Sequence, residues 1–193
     1  MHFDGVRPEP GARAPAPGVL RLVQRFVNSV DLEDGPDDLA DPDGLREWLT
    51  DAGLLAPGET PSRGDHARAL ALREAIRDLA GDHTDARAAA AINEAARRAR
   101  LHPILDRGDS CLQPAAAGVD GALGGIVAAL HAAVADGTWA RLKTCDRDNC
   151  RWAFYDHSRN RSGTWCEMGK CGNRAKARRY REGHRDGGRV DSL

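Results

Sequence analysis

Four cysteines near the end of the chain constrain its fold more than any other feature. Cys145 and Cys150 form one CxxxxC pair, and Cys166 and Cys171 form a second pair with the same spacing. A turn of four residues lets both sulfurs of a pair face one ion, and structural zinc sites are commonly closed by two such pairs in a tetrahedron. The spacing therefore predicts one structural Zn²⁺ ion with these four cysteines as its ligands.

Two other uses of four cysteines compete with zinc. The first residues of the chain lack the apolar segment of a secretory signal, so reduced thiols in the cytoplasm are expected rather than disulfides. An iron centre of the rubredoxin type would use the same sulfurs, and the spacing alone does not separate it from zinc. His157 lies between the pairs, but four cysteines already complete the coordination.

The charge of the chain changes sign just before the first cysteine pair. Residues 1–140 hold 14 Arg and no Lys against 22 Asp and Glu, a net charge of −8. Residues 141–193 hold 14 Lys and Arg against 7 acidic residues, a net charge of +7. This asymmetry predicts an acidic body and a basic module suited to a polyanion, because phosphate neutralisation supplies most non-specific affinity for nucleic acid. A solvated charged face would give the same pattern.

The acidic part of the chain has mostly helical periodicity. Apolar residues recur at helical spacing in several segments, and a helix of small residues is expected from 118 to about 136. Residues 101–114 are expected to form two short strands around a turn. The longest apolar run is shorter than the roughly 18 residues of a membrane span, so no membrane partner is expected.

The predicted fold is mainly α, with a small α+β zinc module at its end. The proline-rich residues 1–18 are expected to be a disordered leader, and residues 19–140 a helical domain with one short β-hairpin. Residues 141–182 are expected to form a treble-clef-like module: cysteine turn, hairpin, cysteine turn and helix. Its hairpin would include a return strand ending at Trp165. Residues 183–193 are expected to be a flexible tail.

The second cysteine pair leads directly into a strongly basic segment. A helix from Gly172 would place several arginines on one stripe, because positions advance by about 100° per residue. The planar fork of arginine suits phosphate groups and guanine edges, so DNA is the expected partner. Basic residues are also favourable near a four-thiolate centre, so docking on the acidic body or on a protein partner is the alternative. The predicted DNA contacts are Arg174, Lys176, Arg178, Arg179 and Arg181.

The helical domain carries few chemical signals. Four polar residues near its predicted apolar faces could line a pocket for a small-molecule effector. Cys111 has no candidate base beside it in the sequence, and a free buried thiol is the commoner case, so no enzyme activity is expected. The oligomeric state is left open by the sequence. The candidate pocket residues are Asn28, Arg73, Arg77 and Asn93.

Two parts of the chain resemble a known bacterial family. CysGlyAsnArg at 171–174, with the preceding PheTyrAspHisSerArgAsn and TrpCys, resembles the CGNR zinc finger. Segments at 26–30, 38–49 and 71–77 resemble the helical ABATE-type domain that usually precedes this finger. The resemblance implies a stress-induced transcriptional regulator whose finger contacts DNA and whose helical domain senses or binds an effector. Glu167 and the preceding ArgSerGlyThr loop are less basic than is usual in the family, which weakens a phosphate-gripping role for this loop.

Overall fold

The computed structural model describes residues 9–33 and 35–186, which are about half helical. We call residues 20–141 the body and residues 142–186 the finger. The body consists of α1 (Leu20–Val27), α2 (Pro42–Asp51), α3 (Arg63–Gly81), α4 (Ala86–Arg98), β1 (Leu101–Asp106), β2 (Asp109–Pro114) and α5 (Gly118–Ala135). The finger consists of β3 (Leu142–Thr144), β4 (Ala153–Tyr155) and α6 (Asn173–Asp186). The predicted fold class, with its hairpin in the helical domain, is confirmed.

Polar side chains cap the N-termini of α2, α3 and α4 in the body. Asp41 caps α2 by accepting a hydrogen bond from the helix backbone. Ser62 and Asp65 form a reciprocal capping box at the start of α3. The cap of α4 is Asp85, whose side chain accepts hydrogen bonds from the helix backbone. The starts of these three helices are therefore set by local sequence.

Helix α5 lies in the core of the body. It packs against α1, α4 and β2. A Cβ atom on Gly124 would lie 2.3 Å from the Ala99 methyl group, so glycine allows this close approach.

Among the described residues, α5 is the one helix long and apolar enough to cross a membrane, although we expected no such segment. Half of it is buried within the protein, and core helices of globular proteins pass the same test. Its packing therefore accounts for its apolar composition.

The hairpin of the finger differs from the prediction. Strand β4 pairs antiparallel with β3, so that Leu142 lies opposite Tyr155 and Thr144 opposite Ala153. The hairpin thus encloses the first cysteine pair. The predicted return strand ending at Trp165 does not form, and residues 156–164 make a loop instead.

Asp156 organises this loop. Its buried carboxylate accepts hydrogen bonds from the backbone N–H groups of Ser158 and Gly163, at 3.0 and 2.7 Å, and from Lys143 Nζ at 2.9 Å. Burial would raise the pKa of Asp156, but the hydrogen bonds from Ser158 and Lys143 outweigh burial and hold the pKa well below its usual range. A charged side chain therefore satisfies backbone groups that a strand ladder would otherwise pair.

Residues 9–18 lie on the finger and do not form the disordered leader that we predicted. Arg13 donates to the carbonyl oxygens of Cys166 and Trp165 at 2.6 and 3.0 Å, and its guanidinium lies 4.9 Å from the ring centre of Phe154. Proline-rich composition lowers the ability to form helices or strands, but it does not prevent an extended segment from being held by side chains. The first eight residues lie outside the described part of the chain.

The C-terminal helix is longer than predicted. It continues through Gly183, where we placed its end, to Asp186. Glycine in a helix interior costs only about 1 kcal/mol relative to alanine, so it does not by itself end a helix. The rest of the predicted tail, residues 187–193, lies outside the described residues.

Candidate metal centre and nucleic-acid interface

The four predicted ligand sulfurs converge on one point between the β3–β4 turn and α6. All four Sγ atoms lie within 4.8 Å of one another. The Cys150–Cys166, Cys166–Cys171 and Cys150–Cys171 sulfur distances are 3.7, 3.5 and 3.8 Å. Zinc–sulfur bonds of about 2.3 Å in a tetrahedron require sulfur–sulfur edges of about 3.8 Å, whereas a disulfide bond is about 2.05 Å long. The cluster therefore fits a metal ion and not a pair of disulfides.

The first pair is held by the turn of the hairpin. The N–H of Cys145 donates to the Trp152 carbonyl at 2.9 Å, which continues the β3–β4 ladder by one bond. The N–H of Cys150 donates to the Arg147 carbonyl at 2.9 Å, and the following Arg151 has a φ of 45°. This left-handed residue reverses the chain and returns it to β4. The turn thereby points both sulfurs to the same side.

The second pair lies at the start of a continuous helix. A π-helical turn, Met168–Gly172, runs directly into α6, and Cys171 lies in this turn. Its N–H donates to the Glu167 carbonyl at 3.0 Å. The positive end of the helix dipole favours a thiolate there. A Cβ atom on Gly172 would lie 2.4 Å from the Met168 sulfur, so glycine allows that side chain to pack against the turn.

The electrostatics of the cluster call for a cation. Hydrogen bonds from Cys150 and Cys166 lower the pKa of Cys145 to about 2. The same thiolate raises the pKa of Cys150 to about 12 and also raises the pKa of Cys166. Sulfurs this close cannot all ionise unless positive charge is placed between them, which a divalent ion supplies. Arg147 adds part of that charge, because its Nη1 lies 3.3 Å from the Cys171 sulfur.

Aromatic side chains shield the cysteines from water. Trp152 and Phe154 are buried in one cluster with the four cysteines, and Trp165 packs against it. A small module cannot bury enough apolar surface by itself, so its few large side chains pack around the metal site.

Helix α6 presents the predicted DNA contacts, two of which pair with acidic residues. Arg174 pairs with Glu33 of the body, and Arg178 lies 3.6 Å from Asp148 in the first cysteine turn. The two arginine side chains remain 55% and 68% exposed, and Lys176 is exposed as well. The stripe is therefore open to solvent and partly neutralised at the same time. The side chains of two further predicted contacts lie outside the described part of the structure: Arg179 and Arg181.

Glu33, in the loop between α1 and α2, meets three cations of the finger. Arg147 donates to it from Nη1 and Nη2, at 3.3 and 3.1 Å, and Lys170 Nζ lies at 3.4 Å. Arg174 donates to the same carboxylate. Hydrogen bonds from Arg147 lower the pKa of Glu33 by more than burial raises it, so the carboxylate is charged at neutral pH. The sequence analysis gave docking of the basic helix on the acidic body as the alternative to DNA, but it did not identify Glu33, because its partners are more than 110 residues apart in the sequence.

The four residues predicted to line an effector pocket have separate partners or none in common, and two of them, Asn28 and Arg77, bind the finger. Asn28 Oδ1 accepts from the N–H of Ala153, and Asn28 Nδ2 donates to the Ala153 carbonyl, both at 2.8 Å. Gln24 Nε2 donates to the same carbonyl at 3.2 Å. Asn28 is near an apolar face, as predicted, because that face is the interface with β4.

The other three predicted pocket residues lie outside the cavity between α3, α4 and α5, and each has its own surroundings. Arg73 forms two hydrogen bonds to Asp37, at 2.6 and 3.0 Å, which holds the loop before α2. Arg77, fully buried, donates to the carbonyl of Arg151 at 3.0 Å. Asn93 is exposed on α4. Both buried arginines thus pair with carboxylates or backbone carbonyls, which is the common arrangement for buried charged side chains.

A cavity of about 170 Å³ lies elsewhere in the body, between α3, α4 and α5. Ion pairs border it: Arg68 Nε lies 3.1 Å from Asp120, and Arg98 Nε lies 3.4 Å from Glu94. The alanine-rich sequence of α4 was the only signal for it, because small side chains leave space between packed helices. Its apolar lining includes Ala71, Leu72, Ala91, Ala95 and Leu123.

The remaining cysteine lies outside the cluster. Cys111 is on β2, opposite Ile104, and is exposed rather than buried as we expected. A short hairpin with one face in solvent leaves such a side chain uncovered.

Comparison with known families agrees with this geometry. Residues 20–142 match the ABATE family model, described as “Putative stress-induced transcription regulator”. Residues 141–184 match the CGNR zinc finger. Among curated proteins, none matches the chain significantly. The resemblance noted from the sequence is confirmed, and so is a site for one zinc ion formed by the four cysteines of this finger.

Proposed function

The chain belongs to the ABATE family of transcription regulators and carries a CGNR zinc finger, and on this premise we propose that it regulates transcription by binding DNA through α6. One observation carries the proposal. The π-helical turn that leads directly into α6 contains the zinc ligand Cys171, which anchors the helix at its start. The side chains of Arg174, Lys176 and Arg178 are accessible to solvent. Contacts to DNA phosphates and to nucleotide bases require accessible cations on a helix that is rigidly held.

The metal in this proposal has a structural role. Four protein sulfurs fill the coordination of zinc, so no position is left for a substrate or a water nucleophile. The four cysteines would hold the ion between the β3–β4 turn and the π-helical turn that leads into α6. The four cysteines would thereby set the direction of α6. In this proposal the protein binds DNA and the metal has no catalytic role.

Binding of a labelled duplex to the zinc-loaded full chain, followed by fluorescence anisotropy over a range of salt concentrations, tests the function. We expect log affinity to fall linearly with log salt concentration, by about 0.9 for each phosphate contact. Lys176→Ala should weaken binding and reduce the slope by about one unit.

Arg97→Ala provides the matched control. Arg97 is an exposed arginine on α4 whose partner is Glu94, so its loss changes net charge equally but away from the finger. Affinity close to wild type is expected for this variant. Absence of duplex binding at low salt by zinc-loaded protein would reject the function and leave a protein-interaction module as the remaining interpretation.

The cavity in the body favours a second function, the binding of a small apolar effector. Its volume of about 170 Å³ is similar to that of apolar cavities that take up a benzene-sized molecule, of about 150 Å³. Such ligands should raise the melting temperature of the wild-type protein and leave that of Ala95→Leu unchanged, because the larger side chain fills the space. Equal shifts in both proteins would show that the ligands bind elsewhere.

A further inference from the structure

We infer that Arg147, Lys170 and Arg174 form a phosphate-binding site for the DNA backbone, and that Glu33 of the body occupies this site in the free protein. The inference rests on the proposed DNA binding and adds a mechanism that restrains it. The body would thereby lower the DNA affinity of the finger through one carboxylate.

The three cations come from two segments that the metal cluster brings together. Arg147 lies in the first cysteine turn, Lys170 lies in the π-helical turn, and Arg174 lies in the first turn of α6. Arg147 spans both carboxylate oxygens of Glu33, from Nη1 to Oε2 and from Nη2 to Oε1. Two parallel N–H groups on two oxygens are the arrangement by which arginine binds either a carboxylate or a phosphate.

The site is organised before any nucleic acid arrives. Arg147 also donates to the Cys171 sulfur at 3.3 Å and to Asn149 Oδ1 at 3.0 Å, so its guanidinium is fixed from two further directions. Lys170 and Arg174 are 41% and 55% exposed and can be reached from solvent. A fixed arginine flanked by two accessible cations suits an anion larger than a carboxylate.

Glu33 can leave without disturbing a helix. It lies in the loop after α1, where its own N–H donates to Asp31 Oδ1 at 2.9 Å, and it belongs to no helix or strand. Only 14% of its side chain is exposed while it holds the three cations. Loops of this kind open at lower free energy than packed elements.

The carboxylate lowers DNA affinity for an electrostatic reason. Much of the free energy of binding comes from cations that replace the counterions of phosphate groups. Glu33 already neutralises part of the charge of these three residues, and it would repel an approaching phosphate. Removing its charge should therefore both free the site and increase the number of phosphate contacts.

Asp148 supplies a matched control. It lies beside a predicted DNA contact, 3.6 Å from Arg178, but it belongs to the finger and is 91% exposed. Asp148→Asn and Glu33→Gln change the net charge by the same amount. Any effect of overall charge on DNA affinity is thus common to both variants.

The test compares duplex affinity of zinc-loaded wild type, Glu33→Gln and Asp148→Asn by anisotropy at several salt concentrations. We expect Glu33→Gln to bind about tenfold more tightly than wild type and to show a salt slope steeper by about one contact. Asp148→Asn should stay within about threefold of wild type. The double variant Glu33→Gln/Lys170→Gln should lose most of the gain.

Equal affinities for Glu33→Gln and Asp148→Asn would overturn the inference. So would weaker DNA binding by Glu33→Gln together with a lower melting temperature or lost zinc, because Glu33 would then be a structural clamp. Inorganic phosphate provides the second arm: it should raise the melting temperature of Glu33→Gln but not that of Asp148→Asn. If phosphate does so while no variant binds DNA, the anion site stands and the DNA function fails. If phosphate has no such effect and no variant binds DNA, both fail.

Discussion

At the scale of single residues, Asn28 replaces a missing neighbour strand. Strand β4 pairs with β3 on one side, and the N–H and carbonyl of Ala153 point to the other side, where the amide of Asn28 meets both at 2.8 Å. An uncovered strand edge exposes such groups to other chains or leaves them unpaired when buried. The side chain of the residue that directly follows α1 thus completes the small sheet of the finger.

Asn28→Ala should destabilise the zinc-loaded protein by about 2–3 kcal/mol, because the buried N–H of Ala153 loses its acceptor. Urea unfolding followed by circular dichroism measures this difference. Asn93→Ala, at an exposed position of α4, should stay within about 0.5 kcal/mol of wild type. Equal stabilities of the two variants would show that the amide bridge contributes nothing.

Asn28 and Arg77 show what a sequence conveys about polar residues. Asn28 and Arg77 lie near apolar periodic positions, which correctly indicates that they are close to buried surface. Their partners are backbone groups of residues 153 and 151, far along the chain, and no local pattern connects them. A pocket and an interface therefore look identical from the sequence of one helix.

At the scale of elements, the metal cluster was predictable and the strand pairing around it was not. Zinc chemistry restricts ligand type and number strictly, and the spacing within each cysteine pair is local. Strands β3 and β4 contain three residues each, too few for a pattern of alternation to specify a partner. The loop after β4 could not be predicted either, because it depends on hydrogen bonds from backbone groups as far away as Gly163 to Asp156.

Replacing one ligand separates the roles of the cysteines. Cys171→Ser should reduce bound zinc well below one ion per chain and loosen the π-helical turn Met168–Gly172, which contains this residue and leads into α6. Cys111→Ser, at the exposed position on β2, should retain one zinc ion per chain. Elemental analysis of protein purified without added metal, with hydrogen exchange at residues 168–178, gives both results. Stoichiometric iron in the wild type would refute the assignment of zinc.

At the scale of the whole molecule, the body and the finger share one hydrophobic core. Leu142, Ala153 and Tyr155 of the finger are buried in the same cluster as the core residues of α1, α3 and α5. The change in charge and the cysteine motif both begin near residue 141, which made the finger look like a separate module. Buried apolar contacts cross that boundary, and composition does not reveal them.

Removal of the metal should therefore destabilise the whole chain and not only the finger. Zinc binds the folded state preferentially, so its loss lowers the free energy of unfolding, and a shared core transmits the loss to the body. With a chelator, the thermal transition at 222 nm, which reports mainly the body helices, should move down by about 10 °C or more in one step. Tryptophan fluorescence, to which Trp152 in the metal cluster contributes, should show the same midpoint, and added zinc should restore both. A body that melts at its original temperature after the finger signal has changed would show two independent units.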